Sequence, residues 1–119
     1  MINDLEKLLN NAYSPHDDIK MSAIVTMKDG INFSGVSIKN DIFRDAIYAE
    51  QAVIARAITA GYKYGDFAKI EIMINTSNIN DFKYLNRDVI LEFMEPDCNI
   101  ILYDIKGNQK ELPVKDLYL

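Results

Sequence analysis

At 119 residues the chain has the size of one ordinary globular domain, and its 49% hydrophobic and 26% charged residues exclude a disordered polymer. A formal charge of −5 works against binding to phosphate backbones, because affinity for nucleic acid rests on Lys and Arg displacing counterions. The single cysteine, Cys98, excludes an intramolecular disulfide, and no run approaches the ~20 apolar residues of a membrane span. The start "MINDLEKLLNN" has none of the marks of a signal peptide, so the expected location is the cytoplasm, as a single domain over residues 1–119.

In chain order, Leu5, Leu8 and Leu9 recur at helical spacing in "NDLEKLLNNA", which predicts a short first helix ended before Pro15. "MSAIVTM" and "INFSGVSI" read as two strands joined at Asp29-Gly30, a strong hairpin signal. Residues 46–60 predict a helix with Ile47, Val53, Ile54, Ala57 and Ile58 inward, closed by Gly61. "KIEIMIN" (69–75) reads as a buried strand, and "NRDVILEFM" (86–94) as a helix burying Val89, Ile90 and Phe93 before Pro96. "NIILYDI" (99–105) is a further strand, Lys106-Gly107-Asn108 a turn, and "VKDLYL" a short helix or tail. This order of helix, two strands, then alternating helix and strand predicts a mixed sheet with helices on both faces. No G-x-G-x-x-G or P-loop accompanies it, so the common phosphate cradles are lacking.

Three stretches carry a family likeness. "NNAYSPHDDIKMSAIVTMKDG", "FSGVSIKNDIFRDAIYAEQAVIARAI" and "NRDVILEF" resemble the small homotetrameric cytidine deaminases along nearly the whole chain. The second is similar to that family's Gly-Cys-Asn-Val-Glu-Asn strand and Cys-Ala-Glu-Arg-x-Ala helix, the third to its Cys-Arg-Gln-Val-Leu-x-Glu-Phe helix. Matches fall at Ala12, Tyr13, Pro15, Gly35, Asn40, Ala49, Glu50, Arg87, Val89, Glu92 and Phe93. The resemblance implies a three-layer α/β/α domain with a mixed five-stranded-type sheet. It also implies a homo-oligomer, tetramer first and dimer second. Ala46, Ala49, Ala52 and Ala55 agree with that, since they make the second helix apolar almost all round.

The family's reaction needs a zinc ion held by three thiolates, or by one His and two Cys, with a Glu to carry protons. At the three ligand positions this chain has Tyr48, Lys83 and Asn86, and no Cys or His lies between positions 17 and 97. Zinc is therefore expected to be absent and no metal or other cofactor is assigned. The positions that match the family's ribose and base contacts hold Ser37, Lys39 and Ile19, and its Arg after the Glu is Gln51. Glu50 is the one candidate acid/base that remains; as an ordinary first-turn residue it would gain only ~0.3–1 kcal/mol from the helix dipole. Lys83 is expected to place its ammonium where the ion would sit and to pair with Glu50, with Tyr48 filling space. His16, Asp17-Asp18, Cys98, Arg87, Tyr62 and Tyr64 read as ordinary loop, core or surface residues, Arg87 equally as a subunit contact. The expected function is that of a catalytically degenerate deaminase-like protein acting by small-molecule or protein binding. The alternative is a nucleoside deaminase-related hydrolase, or another enzyme, using Glu50 without the usual zinc.

Overall fold

Two strands of this chain are buried on both faces, and everything else is arranged to cover them. The computed structural model of the chain describes residues 2–15, 18–39, 46–77, 79 and 85–118. Its sheet has the order β2-β1-β3-β4-β5, formed by β1 (Met21–Met27), β2 (Asn32–Val36), β3 (Phe67–Ile74), β4 (Asn99–Tyr103) and β5 (Gln109–Pro113). β3 and β4 run parallel, and the other pairs are antiparallel, as β1–β3 is from Met21 opposite Ile74 to Val25 opposite Ile70. The expected mixed sheet of five strands is the one found.

Because side chains alternate across a strand, β1 and β3 divide their apolar residues between two layers. Met21, Ala23, Val25, Ile70, Ile72 and Ile74 face a larger core, shared with α2 (Ala49–Thr59), α3 (Arg87–Phe93) and a closing 3-10 helix (Val114–Tyr118). Ile24 and Met73 face the other side, where α1 (Ile2–Leu9) presses Leu5 and Leu9 onto them and onto Tyr103. Ser22 is a polar residue buried in that layer, and its hydroxyl donates to the Leu5 carbonyl at 2.8 Å. This satisfies the group and pins α1 in place. Helices therefore cover both faces, as the residue pattern predicts.

Two expectations are corrected. The helix read over residues 46–60 begins only at Ala49: Ile38 and Ile47 exchange backbone hydrogen bonds of 2.9 and 2.8 Å, and Ile47 and Tyr48 stay out of the helix. Ile47 and Ile58 consequently lie exposed, and the inward face is Ala49, Glu50, Val53, Ile54 and Ala57. The second correction is β5, where "QKELP" suggests no strand. It is an edge strand with its first three residues exposed, so it needs no alternating apolar pattern, and its charges and terminal proline discourage further pairing.

The hairpin at Asp29-Gly30 is confirmed and locked from outside. Gly30 has φ 92°, a conformation that strongly favours glycine. Asp29 accepts from the Ile31 N–H at 3.0 Å and from the Tyr62 hydroxyl at 2.7 Å, so Tyr62 does pack a loop. At the other hairpin Asp104 accepts from the Lys106 and Asn108 backbones at 2.9 and 3.0 Å.

Gly35 brings β2 against α2. A Cβ there would stand 3.0 Å from Val53 Cγ1 and 3.1 Å from Ala52 Cβ. Gly35→Ala is expected to cost about 1–3 kcal/mol by forcing the helix outward, read as a lower urea midpoint at unchanged slope.

Candidate functional site

The site forms at the end of the sheet where β3 finishes and β1 begins. Three chain segments meet there. The first follows β2: Ser37 donates its N–H to the Met21 carbonyl at 2.9 Å and accepts from the Met21 N–H through Oγ at 3.0 Å. Tyr13 and residues 37–39 then exchange backbone bonds, Tyr13 N to Ser37 O at 3.0 Å and Lys39 N to Tyr13 O at 2.8 Å. The second is the entry to α2 through Ile47 and Tyr48, tied to the first by the Ile38–Ile47 bridge. The third is the start of α3 at Asn86.

Glu50 lies where these segments converge. It is completely buried, and its Oε1 accepts the Asn86 backbone N–H at 3.2 Å. Its Oε2 has no hydrogen-bond partner among the described residues. Burial pushes its pKa from 4.5 up to about 7, against the opposing pull of the Asn86 N–H and its own backbone N–H. Glu50 does lie in the first turn of α2, where the dipole favours its charge. A dipole gain of ~0.3–1 kcal/mol is outweighed by a shift worth about 3 kcal/mol at ~1.4 kcal/mol per unit. The carboxyl is poised to exchange a proton near neutral pH, with one oxygen turned to no donor among the described residues.

The other predicted positions are brought to the same end of the sheet. Ser37 is fully buried, and its hydroxyl is spent on the Met21 amide, where it holds β2 to β1. Lys39 is only 5% exposed, a rare environment for a lysine. Ile19 is half-buried against the larger core. Tyr48 is half-buried as the residue before α2, and its N–H donates to Gln51 Oε1 at 3.4 Å. Asn86 precedes α3, its Oδ1 accepting from the Val89 N–H at 3.4 Å. Lys83, His16, Asp17 and Asn40 lie outside the described residues, and with Lys83 the expected pairing to Glu50. Arg87 is exposed.

One residue at this end has no signal in the sequence. Asn75, just past β3, accepts the Lys20 N–H through Oδ1 at 2.8 Å and donates through Nδ2 to the Asp18 carbonyl at 2.6 Å. It clamps the segment carrying Ile19 to the end of β3. An asparagine after a strand reads as a loop residue, and only the antiparallel pairing of β1 with β3 brings position 20 beside it.

Tyr48 and Asn86 do not offer the donors that zinc prefers, which are thiolate, imidazole or carboxylate. Asn86 has already committed its side-chain oxygen to α3. Among the described residues no three His, Cys, Asp or Glu side chains stand close enough to hold a metal ion. Cys98 is at the opposite end of the sheet beside the start of β3, its thiol donating to the Phe67 carbonyl at 3.2 Å. It is the small core residue that the sequence suggests.

The chain is similar, over its whole length, to proteins of one kind. It is 24% identical over 120 residues to a cytidine deaminase of Mycoplasma genitalium, a match spanning 100% of this chain and 90% of the relative. The crystal structure of a cytidine deaminase from Burkholderia pseudomallei superposes with a TM-score of 0.89 at 26% identity, covering 98% of this chain and 91% of the other. That of a Mycobacterium leprae cytidine deaminase does so with a TM-score of 0.71 at 18% identity, covering 98% and 95%. No model of a known protein family matches the sequence.

The buried carboxyl makes a prediction about stability. An unfolded chain releases the Glu50 proton near 4.5, whereas the folded one holds it to about 7. Glu50 therefore withdraws stability as pH rises between those values. Glu50→Gln is expected to match the wild type at pH 4 and to exceed it by about 2–3 kcal/mol at pH 8. Urea titrations of both proteins across that range check it.

Proposed function

We propose that this chain is a member of the cytidine deaminase family and a nucleoside deaminase-related hydrolase whose acid/base is Glu50, working without the zinc on which the reaction of the family it resembles depends. The observation that carries this reading is the state of Glu50: buried, held at one oxygen by the Asn86 N–H, without a partner for the other among the described residues, and ionising near 7. A carboxyl kept in that state lowers stability at neutral pH, and such costs collect at functional sites. The residue pattern alone ranks binding without turnover first. Full-length similarity to cytidine deaminases and the burial of Glu50 favour hydrolysis instead.

The chemistry within reach of Glu50 is hydrolytic deamination of a pyrimidine-type amidine. As carboxylate, Glu50 takes a proton from water while the water oxygen bonds to the ring carbon. As carboxylic acid, it returns that proton to the ring nitrogen. A second transfer accompanies cleavage of the carbon–nitrogen bond, so amine and water become carbonyl and ammonia. General acid/base catalysis contributes ~10²–10⁴-fold. A metal would add its lowering of the pKa of water from 15.7 to about 7. The expected turnover is accordingly slow.

Binding without turnover is the second reading, supported by the donor chemistry of Tyr48, Lys83 and Asn86. Incubation of purified, metal-depleted protein with cytidine distinguishes the two. Slow release of uridine and ammonia, lost in Glu50→Gln, is the expected result. Saturable cytidine binding with no product would move the second reading to first place, and neither binding nor product would end both.

We also propose that the chain acts as a homo-oligomer, a tetramer ahead of a dimer. Support comes from Tyr13, Ile38 and Ile47, which are 54%, 45% and 39% exposed and adjoin through backbone bridges beside the site. Paired bridge residues point to the same side, so these three large side chains make one apolar surface. Light scattering coupled to size-exclusion chromatography is expected to give a mass of four chains, falling when Ile38→Lys places a charge in that surface.

A further inference from the structure

We infer that Asn86 and Gln51 are positioning residues that hold the surroundings of Glu50 by capping two helices, a task that needs no metal. The significance of this for function rests on Glu50 being the reactive group. Both residues stand where the chain departs from the deaminase pattern, and each departure makes a hydrogen bond at a helix start. Asn86 is the residue before α3, and its Oδ1 accepts the Val89 N–H at 3.4 Å. Asparagine is among the most favourable side chains at that position. The same residue turns its backbone N–H onto Glu50 Oε1 at 3.2 Å. One side chain therefore fixes the start of α3, and through it the donor that Glu50 leans on.

Gln51 acts in mirror fashion on α2. Tyr48 precedes that helix and has no short polar side chain with which to cap it. Gln51, three residues on, reaches back so that its Oε1 accepts the Tyr48 N–H at 3.4 Å. This is the reciprocal half of a capping box. Glu50 lies between Tyr48 and Gln51 in the chain, so the bond that closes this turn also fixes the backbone from which its carboxyl extends. Positions 48 and 86, where a metal would draw the two helix starts together, are both helix-capping positions here.

Amide hydrogen exchange, followed residue by residue, tests this without any substrate, so its outcome is independent of whether cytidine is turned over. In Asn86→Ala, exchange at the amides of residues 86 and 89 is expected to accelerate about fivefold, the equivalent of a lost helix cap. Amides of β1 and β3 should change far less, and Asn86→Ser should restore wild-type exchange. Gln51→Ala should accelerate the Tyr48 amide in the same way, with Gln51→Glu restoring it. The wild-type pattern should persist after dialysis against a strong chelator. Unaltered exchange at residue 86 in Asn86→Ala, or a loss of protection around α2 and α3 on chelation, would overturn the inference.

Discussion

The structure depends on the two-sided burial of β1 and β3. Each is lined on both faces by side chains that must leave water, so a single helical layer could not stabilise the sheet. α2 and α3 cover one face with most of the core, and α1 covers the other with little more than Leu5 and Leu9. Burial of a large aliphatic side chain is worth ~1.5–3 kcal/mol, so even this small layer matters in a molecule of marginal stability. The Ser22 hydroxyl bonded to Leu5 shows how tightly α1 is tied down.

Those same layers place the site. With α2 pressed onto β2 at Gly35 and α3 carrying the chain from β3 to β4, two helix starts meet at one end of the sheet. The residues there are held mainly by backbone bonds: Tyr13 to residues 37–39, Ile38 to Ile47, and Asn86 to Glu50. Such a framework tolerates exchange of the side chains it presents. It accounts for a chain that keeps the architecture of a solved cytidine deaminase at 26% identity.

Glu50 is the buried carboxyl that folding alone explains least. Every other buried carboxyl in the described residues has a bond for its charge or its proton: Glu71 accepts the Tyr103 hydroxyl at 3.0 Å, and Asp104 is bonded within its own turn. Glu50 has backbone donors alone and no cation beside it among the described residues, whereas the second oxygen of Glu71 faces Lys69 Nζ at 3.4 Å. A residue selected for stability alone at this position would be apolar or fully bonded.

Much of the fold was legible in the residues themselves. Periodicity places α1, α3 and β1 to β4 within a few residues of where they lie, and Asp29-Gly30 identifies the first hairpin. β5 escaped notice because an exposed edge strand carries no apolar alternation, and the start of α2 was misjudged because its delay comes from a bridge to Ile38, far away in the chain. Of the candidate site, Glu50 was recognisable from its neighbour Ala49, and the unsuitability of Tyr48 and Asn86 as zinc donors followed from their chemical nature. Sequence alone determined which groups exist: one cysteine, one histidine, no soft ligands beside Glu50, and enough apolar alternation to specify a covered sheet. Only the tertiary structure decided what Glu50 is. Its proton affinity depends chiefly on desolvation and then on an N–H donated from 36 positions away along the chain, and neither is a property of local sequence.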